Sequence, residues 1–286
     1  MKILLGYREL RKNLEKSFEK AGITEFADID WIIVEITGKR RSELPFIEQF
    51  SSEEMSRIMS AVEKRLKHIP LAYIFGKTNF YGLDFVVSQD VLIPRLDTEV
   101  LVEKLIEEIR SRNNQCSFLD IGTGSGAIAV SVCKETGVKT FAVDVSEDAL
   151  KIARQNAKNN EVDVEFIKSN LFDEIQDLKV DIIVSNPPYI ESAEIDRLMP
   201  EVRDFEPILA LDGGESGLEF YEKIIDDAPK HLNANGKLFF EIGYNQGESV
   251  SNLMKHNFKN VSVLKDYLGN DRIVVGEMYD WKIKKS

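Results

Sequence analysis

The sequence predicts an α/β protein: a layered sheet with helices, preceded by a small helical domain and a bridging β-hairpin. Three observations carry this reading. From Thr98 onward strand-like and helix-like segments alternate, the sign of an α/β layered fold. Residues 1–70 show helical periodicity and no strand pattern. Between them, residues 71–92 hold short strand-like runs around Gly76 and Gly82. The expected domains are therefore residues 1–70, 71–92 and 93–286.

In the helical part, Leu4, Leu5, Leu10, Leu14 and Phe18 mark a first helix ending near Gly22. A second contains Trp31, Ile32, Val34, Glu35 and Ile36 and stops at Gly38. A third starts after Ser51-Ser52, with Glu53-Glu54 as an acidic first turn, and runs through Ile58, Met59, Val62 and Leu66 toward Pro70. The run Lys39-Arg40-Arg41 reads as a solvated loop. The hairpin region offers Tyr73-Ile74-Phe75, Asn79-Phe80-Tyr81 and Asp84-Phe85-Val86-Val87 as strands. Beyond it come a helix over about Thr98–Arg110 and strands near 117–121, 139–144, 164–168, 180–185, 237–241, 261–264 and 272–276. A short loop through Tyr267-Leu268-Gly269-Asn270 makes the last two an antiparallel pair.

The chemistry concentrates at strand ends. The strand 180–185 runs into Asn186-Pro187-Pro188-Tyr189. Each proline fixes φ near −65° and has no N–H, and the residue before each is driven out of the helical region. The turn therefore holds the Asn186 amide and main-chain carbonyls with little freedom, a pair of acceptors suited to an –NH2 group, and Tyr189 adds a flat wall. Upstream, the strand 117–121 leads into Gly122-Thr123-Gly124-Ser125-Gly126. The glycines fall as G-x-G-x-G rather than the G-x-G-x-x-G of dinucleotide folds. Asp120, just before them, would repel a pyrophosphate and welcome a cationic amino-acid moiety. The strand 139–144 ends in Asp144, 18 positions beyond Gly126, where a carboxylate can accept both ribose hydroxyls. Glycine turn and acidic strand end point to an adenosine-containing ligand, and with Asn186-Pro187-Pro188-Tyr189 to S-adenosylmethionine.

Asp120 to Val130, Asp144 and Asn186 to Ile190 resemble the class I S-adenosylmethionine-dependent methyltransferases. Within them the chain is similar to the bacterial release-factor glutamine N5-methyltransferases of the HemK type. That narrowing rests on Val91 to Glu99, close to the family's Pro-Arg-Pro-Asp-Thr-Glu segment, and on Phe205-Glu206-Pro207 followed by Leu209-Ala210-Leu211. It rests also on Phe240-Glu241-Ile242-Gly243 with Gln246-Gly247, and on Asp266-Tyr267 with Asn270-Asp271-Arg272. The likeness runs in order from about Leu71 to Gly276. It implies a seven-stranded Rossmann-like class I methyltransferase sheet, S-adenosylmethionine as cofactor, and the glutamine of the Gly-Gly-Gln motif of class I peptide chain release factors as acceptor. Asp120, Gly122, Thr123, Gly124, Ser125, Gly126, Asp144, Asn170, Leu171 and Asn186 would then bind cofactor. Asn186, Pro187 and Tyr189 would serve catalysis, and with Pro188 would hold the substrate. Two departures are Leu96, where the family usually has proline, and Leu171, where some relatives carry tryptophan beside the adenine.

Composition narrows the partners. The 286 residues carry a net charge of −12. Residues 1–77 hold 14 Lys and Arg against 12 Asp and Glu, leaving 23 against 37 for the rest. An acidic catalytic part is a poor platform for nucleic acid, where phosphate neutralisation dominates affinity. This disfavours an N6-adenine DNA methyltransferase, which shares the Asn-Pro-Pro-Tyr turn. A ribosomal-protein glutamine methyltransferase shares it too. A nucleotide-dependent oxidoreductase is disfavoured by glycine spacing, and a non-catalytic module by the intact turn. Cys116 and Cys133 lie outside any CxxC spacing, and His68, His231 and His256, far apart, read as surface or capping groups, so no metal is expected. No apolar run of 18 residues and no leader pattern appears, giving an expectation of a cytoplasmic protein that avoids membranes. Glu241 is a tempting base whose plainer role is orienting a loop or pairing a cation. Arg95, Asp97 and Glu99 read as an ion-pair cluster at the cofactor mouth.

Overall fold

The structure, a computed structural model, describes residues 5–279. Leu4 and the chain ends 1–4 and 280–286, counted in the expected first helix and outer domains, lie outside them. The described chain forms two compact units, one of residues up to Gly76 together with Met199–Phe205, the other of Lys77–Leu198 and Glu206 onward.

The first unit is helical: α1 (Tyr7–Lys20), α2 (Ala27–Thr37), a 3-10 turn (Arg41–Phe46), α3 (Ser52–Arg65) and α4 (Leu71–Phe75). Leu10, Leu14 and Phe18 recur every four residues on α1 and meet Ile29, Ile32, Ile33, Ile58 and Val62 in one buried cluster. Glycine in the left-handed region ends α2 at Gly38. Ser51 and Glu54 form a reciprocal capping box at the start of α3. The buried Arg65 joins Asp28, at 2.7 Å, to Glu201 of the later segment, at 3.0 Å. The Lys39–Arg41 loop is partly tied down, with the Arg40 N–H donating to the Glu43 carboxylate and Arg41 paired with Asp30. Tyr73-Ile74-Phe75, expected as a strand, lies in α4. The carbonyl of Pro70 accepts from the N–H groups of Tyr73 and Ile74, both at 3.0 Å, and Ile74 and Phe75 turn toward the helical core. Packing there outweighs the β-propensity of a three-residue run.

The second unit begins with β1 (Lys77–Phe80) and β2 (Leu83–Val86), an antiparallel pair. Tyr81 and Gly82 both have positive φ, as a two-residue type I′ hairpin turn requires. There follow α5 (Leu96–Ser111), β3 (Ser117–Ile121), α6 (Ala127–Thr136), β4 (Lys139–Asp144), α7 (Glu147–Asn159), β5 (Val164–Lys168) and β6 (Val180–Ser185). Next come α8 (Pro200–Arg203, in the first unit), α9 (Glu219–His231), β7 (Leu232–Glu241), α10 (Gly247–Met254), β8 (Phe258–Lys265) and β9 (Asp271–Met278). The seven-stranded sheet has the order β5-β4-β3-β6-β7-β9-β8, with β9 alone running antiparallel to its neighbours β7 and β8. Alternation within strands feeds two cores. Phe118, Ile182, Val184 and Phe239 pack with α5 and α6, while Leu119, Ile121, Ile183 and Phe240 pack with α9 and α10.

Strand β7 is twice as long as expected. Asn233-Ala234-Asn235-Gly236 reads as a turn, yet it forms an irregularity inside the strand, where the pairing jumps from Val180↔Leu232 to Ile182↔Lys237. Strand β8 likewise extends through an irregularity after Lys259.

One buried polar side chain ties the hairpin to the sheet. Asn156, on the inner face of α7, accepts from the Val86 N–H at 2.7 Å and donates to the carbonyls of Val86 (3.0 Å) and Ser125 (2.9 Å). Three main-chain groups depend on it. Because each unsatisfied buried group costs about 1–3 kcal/mol, Asn156→Ala should lower stability by roughly 3 kcal/mol. Urea unfolding should show a lower midpoint at unchanged slope; a loss under about 0.5 kcal/mol would mean these groups find other partners.

Candidate active site

The chain runs β3, β4, β5 outward and then returns to lay β6 on the other side of β3. Open α/β sheets bind ligands at such a switch point, beyond the strands' C-terminal ends. Register aligns the exits: Ile121 pairs with Val143 on one side and Ser185 on the other. The Ser185 hydroxyl donates to the Ile121 carbonyl at 2.8 Å, joining the two ends directly. Gly122, Asp144 and Asn186 therefore emerge side by side.

The glycine turn is anchored to β4. The N–H groups of Gly122 and Thr123 both donate to the Val143 carbonyl, at 2.9 and 3.0 Å, and the Gly124 N–H donates to Asp144 Oδ2 at 2.8 Å. Gly122, Gly124 and Gly126 all have positive φ, a region costly to residues with a Cβ. A Cβ on Gly122 or Gly124 would meet no protein atom within 4 Å, whereas on Gly126 it would lie 3.2 Å from Ala153 Cβ. The first two thus line open space, and the third lets α6 begin against α7.

Asp120 is completely buried under the turn. Its Oδ2 accepts from the Thr123 hydroxyl at 2.6 Å, and its Oδ1 has no partner. Burial pushes its carboxyl up to about 7, against hydrogen bonds from Thr123 and the Ala129 N–H, with the Asp144 charge adding to the rise. Asp144 keeps its Oδ1 on the Ser146 N–H at 2.9 Å, and burial raises it too. Each of its oxygens has further acceptor capacity. Next to it, the Ser169 N–H donates to the Asp144 carbonyl. This brings Leu171, half-buried with positive φ, to the neighbouring strand end. Asn170 is exposed and donates to Asp173 at 3.1 Å.

On the other side, Pro187 is buried and Asn186, Pro188 and Tyr189 are half-buried. Two glycines clasp their backbone. A Cβ on Gly213 would fall 2.8 Å from both the Pro188 carbonyl oxygen and Tyr189 Cα, and one on Gly217 would fall 2.6 Å from the Tyr189 carbonyl oxygen. Ile190 completes the grip by exchanging hydrogen bonds with Leu211 and Gly213 at 3.1 and 2.8 Å. Gln246 donates to the carbonyls of Tyr189 and Gly217 and accepts from the Gly243 N–H. Burial, with the Glu241 charge adding, pushes the Tyr189 phenol up to about 12, so it stays neutral.

The Asn186 side chain is held as well. Its Nδ2 lies 3.5 Å from Thr98 Oγ1, and burial pushes the Glu241 carboxyl up to about 7, against the pull of Thr98, Arg272 and Asn186. The expected cluster of Arg95, Asp97 and Glu99 is distributed instead among other partners. Arg95 pairs with Glu206 at 2.5 Å, Asp97 with Arg272 at 3.0 Å, and Glu99 accepts from the Tyr81 N–H. Successive residues at a helix start point in different directions, so nearness in sequence does not make a cluster.

Sequence reasoning missed Gly213, Gly217, Thr98 and the role of Gln246. None follows from local pattern, since each acts on a segment at least 24 residues away. His231, expected as a surface or capping group, is buried, with Nδ1 3.0 Å from the Leu178 carbonyl and its ring stacked on Phe172 with centroids 4.4 Å apart. Among the described residues no group of His, Cys, Asp or Glu could hold a metal, and no helix is long and apolar enough to cross a membrane.

Comparison with known proteins agrees with this geometry. Residues 9–76 match the family model of the PrmC N-terminal domain and residues 93–201 that of the methyltransferase small domain. The release factor glutamine methyltransferase of Fusobacterium nucleatum is 41% identical over 257 residues, 87% of this chain and 72% of that protein. That of Geobacter sulfurreducens is 39% identical over 268 residues, 92% of each. In fold, a methyltransferase from Pyrococcus furiosus, 21% identical, matches 80% of this chain and 98% of its own with a TM-score of 0.52. On relatives of this identity spanning most of both proteins, the chain belongs to the release factor glutamine methyltransferase family.

Proposed function

We propose that the enzyme moves the methyl group of S-adenosylmethionine to the side-chain amide nitrogen of the glutamine in the Gly-Gly-Gln motif of a class I peptide chain release factor. The carrying observation is the clasped Asn186–Tyr189 turn beside the glycine turn. The residues fit the cofactor. Open space faces Gly122 and Gly124, Asp120 has a buried unpaired oxygen for a cationic amino-acid moiety, and Asp144 has acceptor capacity for ribose hydroxyls. Leu171 offers an apolar surface to the adenine, and the backbone of Thr123, Ser125 and Asn170 frames the rest. When bound, the cofactor supplies an electrophilic methyl on a sulfonium sulfur.

An amide nitrogen is a poor nucleophile because its lone pair is delocalised into the carbonyl. Here the Asn186 Oδ1 and the Pro187 carbonyl accept its two N–H bonds and orient it for in-line attack. Both acceptors also favour the positive charge that builds on nitrogen as the new C–N bond forms and the C–S bond breaks. Such positioning supplies on the order of 7–11 kcal/mol of barrier lowering. The alkylated nitrogen becomes acidic and gives up its proton afterwards, so no strong base is required. Tyr189, neutral and flat, packs on the glutamine stem, and Pro188 closes its side. The helical residues 1–70 serve to hold the release factor.

Purified enzyme should transfer labelled methyl to release factor, and not to ribosomal protein or duplex DNA offered in parallel. Signal on either of those instead would redirect the reading. Removing one preorganised polar contact costs about 10²–10³ in turnover, so Asn186→Ala should lose that much kcat while binding cofactor as before. Gly213→Ala, which pushes on Pro188 and Tyr189, should lower kcat by roughly 10–100-fold at unchanged cofactor affinity; full activity would show that the clasp is dispensable.

Asp120 gives a test by protons. Its carboxyl sits near 7 in the free protein, and a cation brought against it must lower that value. Cofactor binding at pH 6.5 should then release protons and strengthen as pH rises toward 7. Calorimetry in buffers of different ionisation enthalpy reads this directly; no proton release would remove Asp120 from the ammonium site.

A further inference from the structure

The geometry points to Arg95 and Glu206 as a positioning pair that holds the two supports of the Asn186–Tyr189 turn at one fixed spacing. This rests on the acceptor role of that turn proposed above. The supports lie far apart in sequence. One is the start of α5, where the buried Thr98 lies 3.5 Å from Asn186 Nδ2. The other is the limb carrying Leu211 and Gly213, which exchange hydrogen bonds with Ile190. On that limb Gly213 packs its backbone against Pro188 and Tyr189. In-line attack needs the Asn186 amide and the Pro187 carbonyl in one frame. Supports that drift apart would open that frame between them.

Arg95 and Glu206 stand at the roots of these supports. Arg95 is the N-cap residue of α5, and its carbonyl accepts from the Thr98 N–H at 3.1 Å. Glu206 opens the clasp limb. After it, Pro207 holds φ at −66° and its carbonyl accepts from the Ala210 N–H at 2.9 Å. The Ile208 carbonyl accepts from the Leu211 and Asp212 N–H groups, both at 2.9 Å. Residues 207–212 are thus one tight turn, which carries the place of Glu206 directly to Leu211 and Gly213. The two roots meet in a single contact: Arg95 Nη2 donates to Glu206 Oε2 at 2.5 Å. A ring then closes through Asn186, Thr98, Arg95, Glu206, the 207–212 turn and Ile190.

Burial makes this contact decisive. The Glu206 side chain is only 1% exposed, so its carboxylate has little water to turn to and stays where the guanidinium is. The chain belongs to the helical unit over Met199–Phe205, and Glu206 is its first residue back in the catalytic unit. An ion pair at that residue keeps displacements of the preceding segment from reaching the clasp. The acids near Arg95 in sequence are engaged elsewhere: Asp97 holds Arg272 at 3.0 Å, and Glu99 accepts from the Tyr81 N–H at 2.7 Å. Of the five N–H donors of Arg95, one makes the contact with Glu206, a point contact that an ammonium can also make.

Variants of the pair test it. Arg95→Ala strands a buried carboxylate and frees the limb, so kcat on release factor should fall by about 10–100-fold, with cofactor affinity unchanged. Glu206→Gln keeps the shape and drops the charge; it should fall less, and added to Arg95→Ala it should cost nothing more. Losses that multiply would overturn the proposal. Arg95→Lys keeps the charge and a donor, and should retain kcat within about threefold of wild type. A loss as large as that of Arg95→Ala would assign the guanidinium to the substrate instead, and would also overturn it. Amide hydrogen exchange, followed by NMR without substrate, separates positioning from general support. In both Arg95→Ala and Glu206→Gln, the Ile190 and Gly213 N–H groups should lose protection, by about tenfold or more in the former, while amides of β3 and β4 keep theirs. Equal loss throughout would mean a weakened fold, and no loss at Ile190 and Gly213 a clasp that stands alone; either contradicts the proposal. Wild-type enzyme that methylates no release factor would defeat the functional reading alone, since exchange at Ile190 and Gly213 still decides the positioning claim.

Discussion

Parallel pairing of β3 with β4 on one side and β6 on the other is the constraint on which the site depends. It brings three chain exits to one edge of the sheet, and the Ser185–Ile121 hydrogen bond joins two of them. Without that alignment, the glycine turn, the carboxylate of Asp144 and the amide of Asn186 would be separate surface features. With it, the Asn186–Tyr189 turn and the glycine turn stand one strand width apart, about 5 Å.

Rigidity reaches the two sides of the site by different means. At the glycine turn it comes from the backbone: three residues in the left-handed region, fastened to the Val143 carbonyl and to Asp144. At the acceptor turn it comes from two prolines and from exclusion, since Gly213 and Gly217 lie too close to admit any side chain. The side chain of Asn186 has the buried Thr98 hydroxyl 3.5 Å from its Nδ2. Catalysis by orientation needs all of these, because a shift of about 1 Å in the reacting groups costs on the order of 10²-fold.

Much of this was legible from residue order alone. Four of the parallel strands, β3, β4, β5 and β6, have the boundaries their short apolar runs indicate. The Gly122–Gly126 and Asn186–Tyr189 turns were legible because glycine and proline act on their own backbone. What escaped was everything decided at a distance. The Asn233–Gly236 stretch carries turn chemistry but is absorbed as an irregularity once β6 and β9 flank it. Tyr73-Ile74-Phe75 has strand composition but is drawn into a helical turn by the core it meets. Gly213 and Gly217 look like ordinary loop glycines, and Thr98 like a helix-start residue, until the fold carries them to the acceptor turn. Asn156 gave no signal in a helix pattern, since a buried amide is recognised by its partners.

The account stands on where the substrate nitrogen sits. A crystal structure with demethylated cofactor and a Gly-Gly-Gln peptide measures this directly. The glutamine side-chain nitrogen is expected at hydrogen-bonding distance, about 2.7–3.2 Å, from both Asn186 Oδ1 and the Pro187 carbonyl oxygen, and in line with the sulfur. A glutamine bound with its nitrogen turned away from those two oxygens would contradict the account.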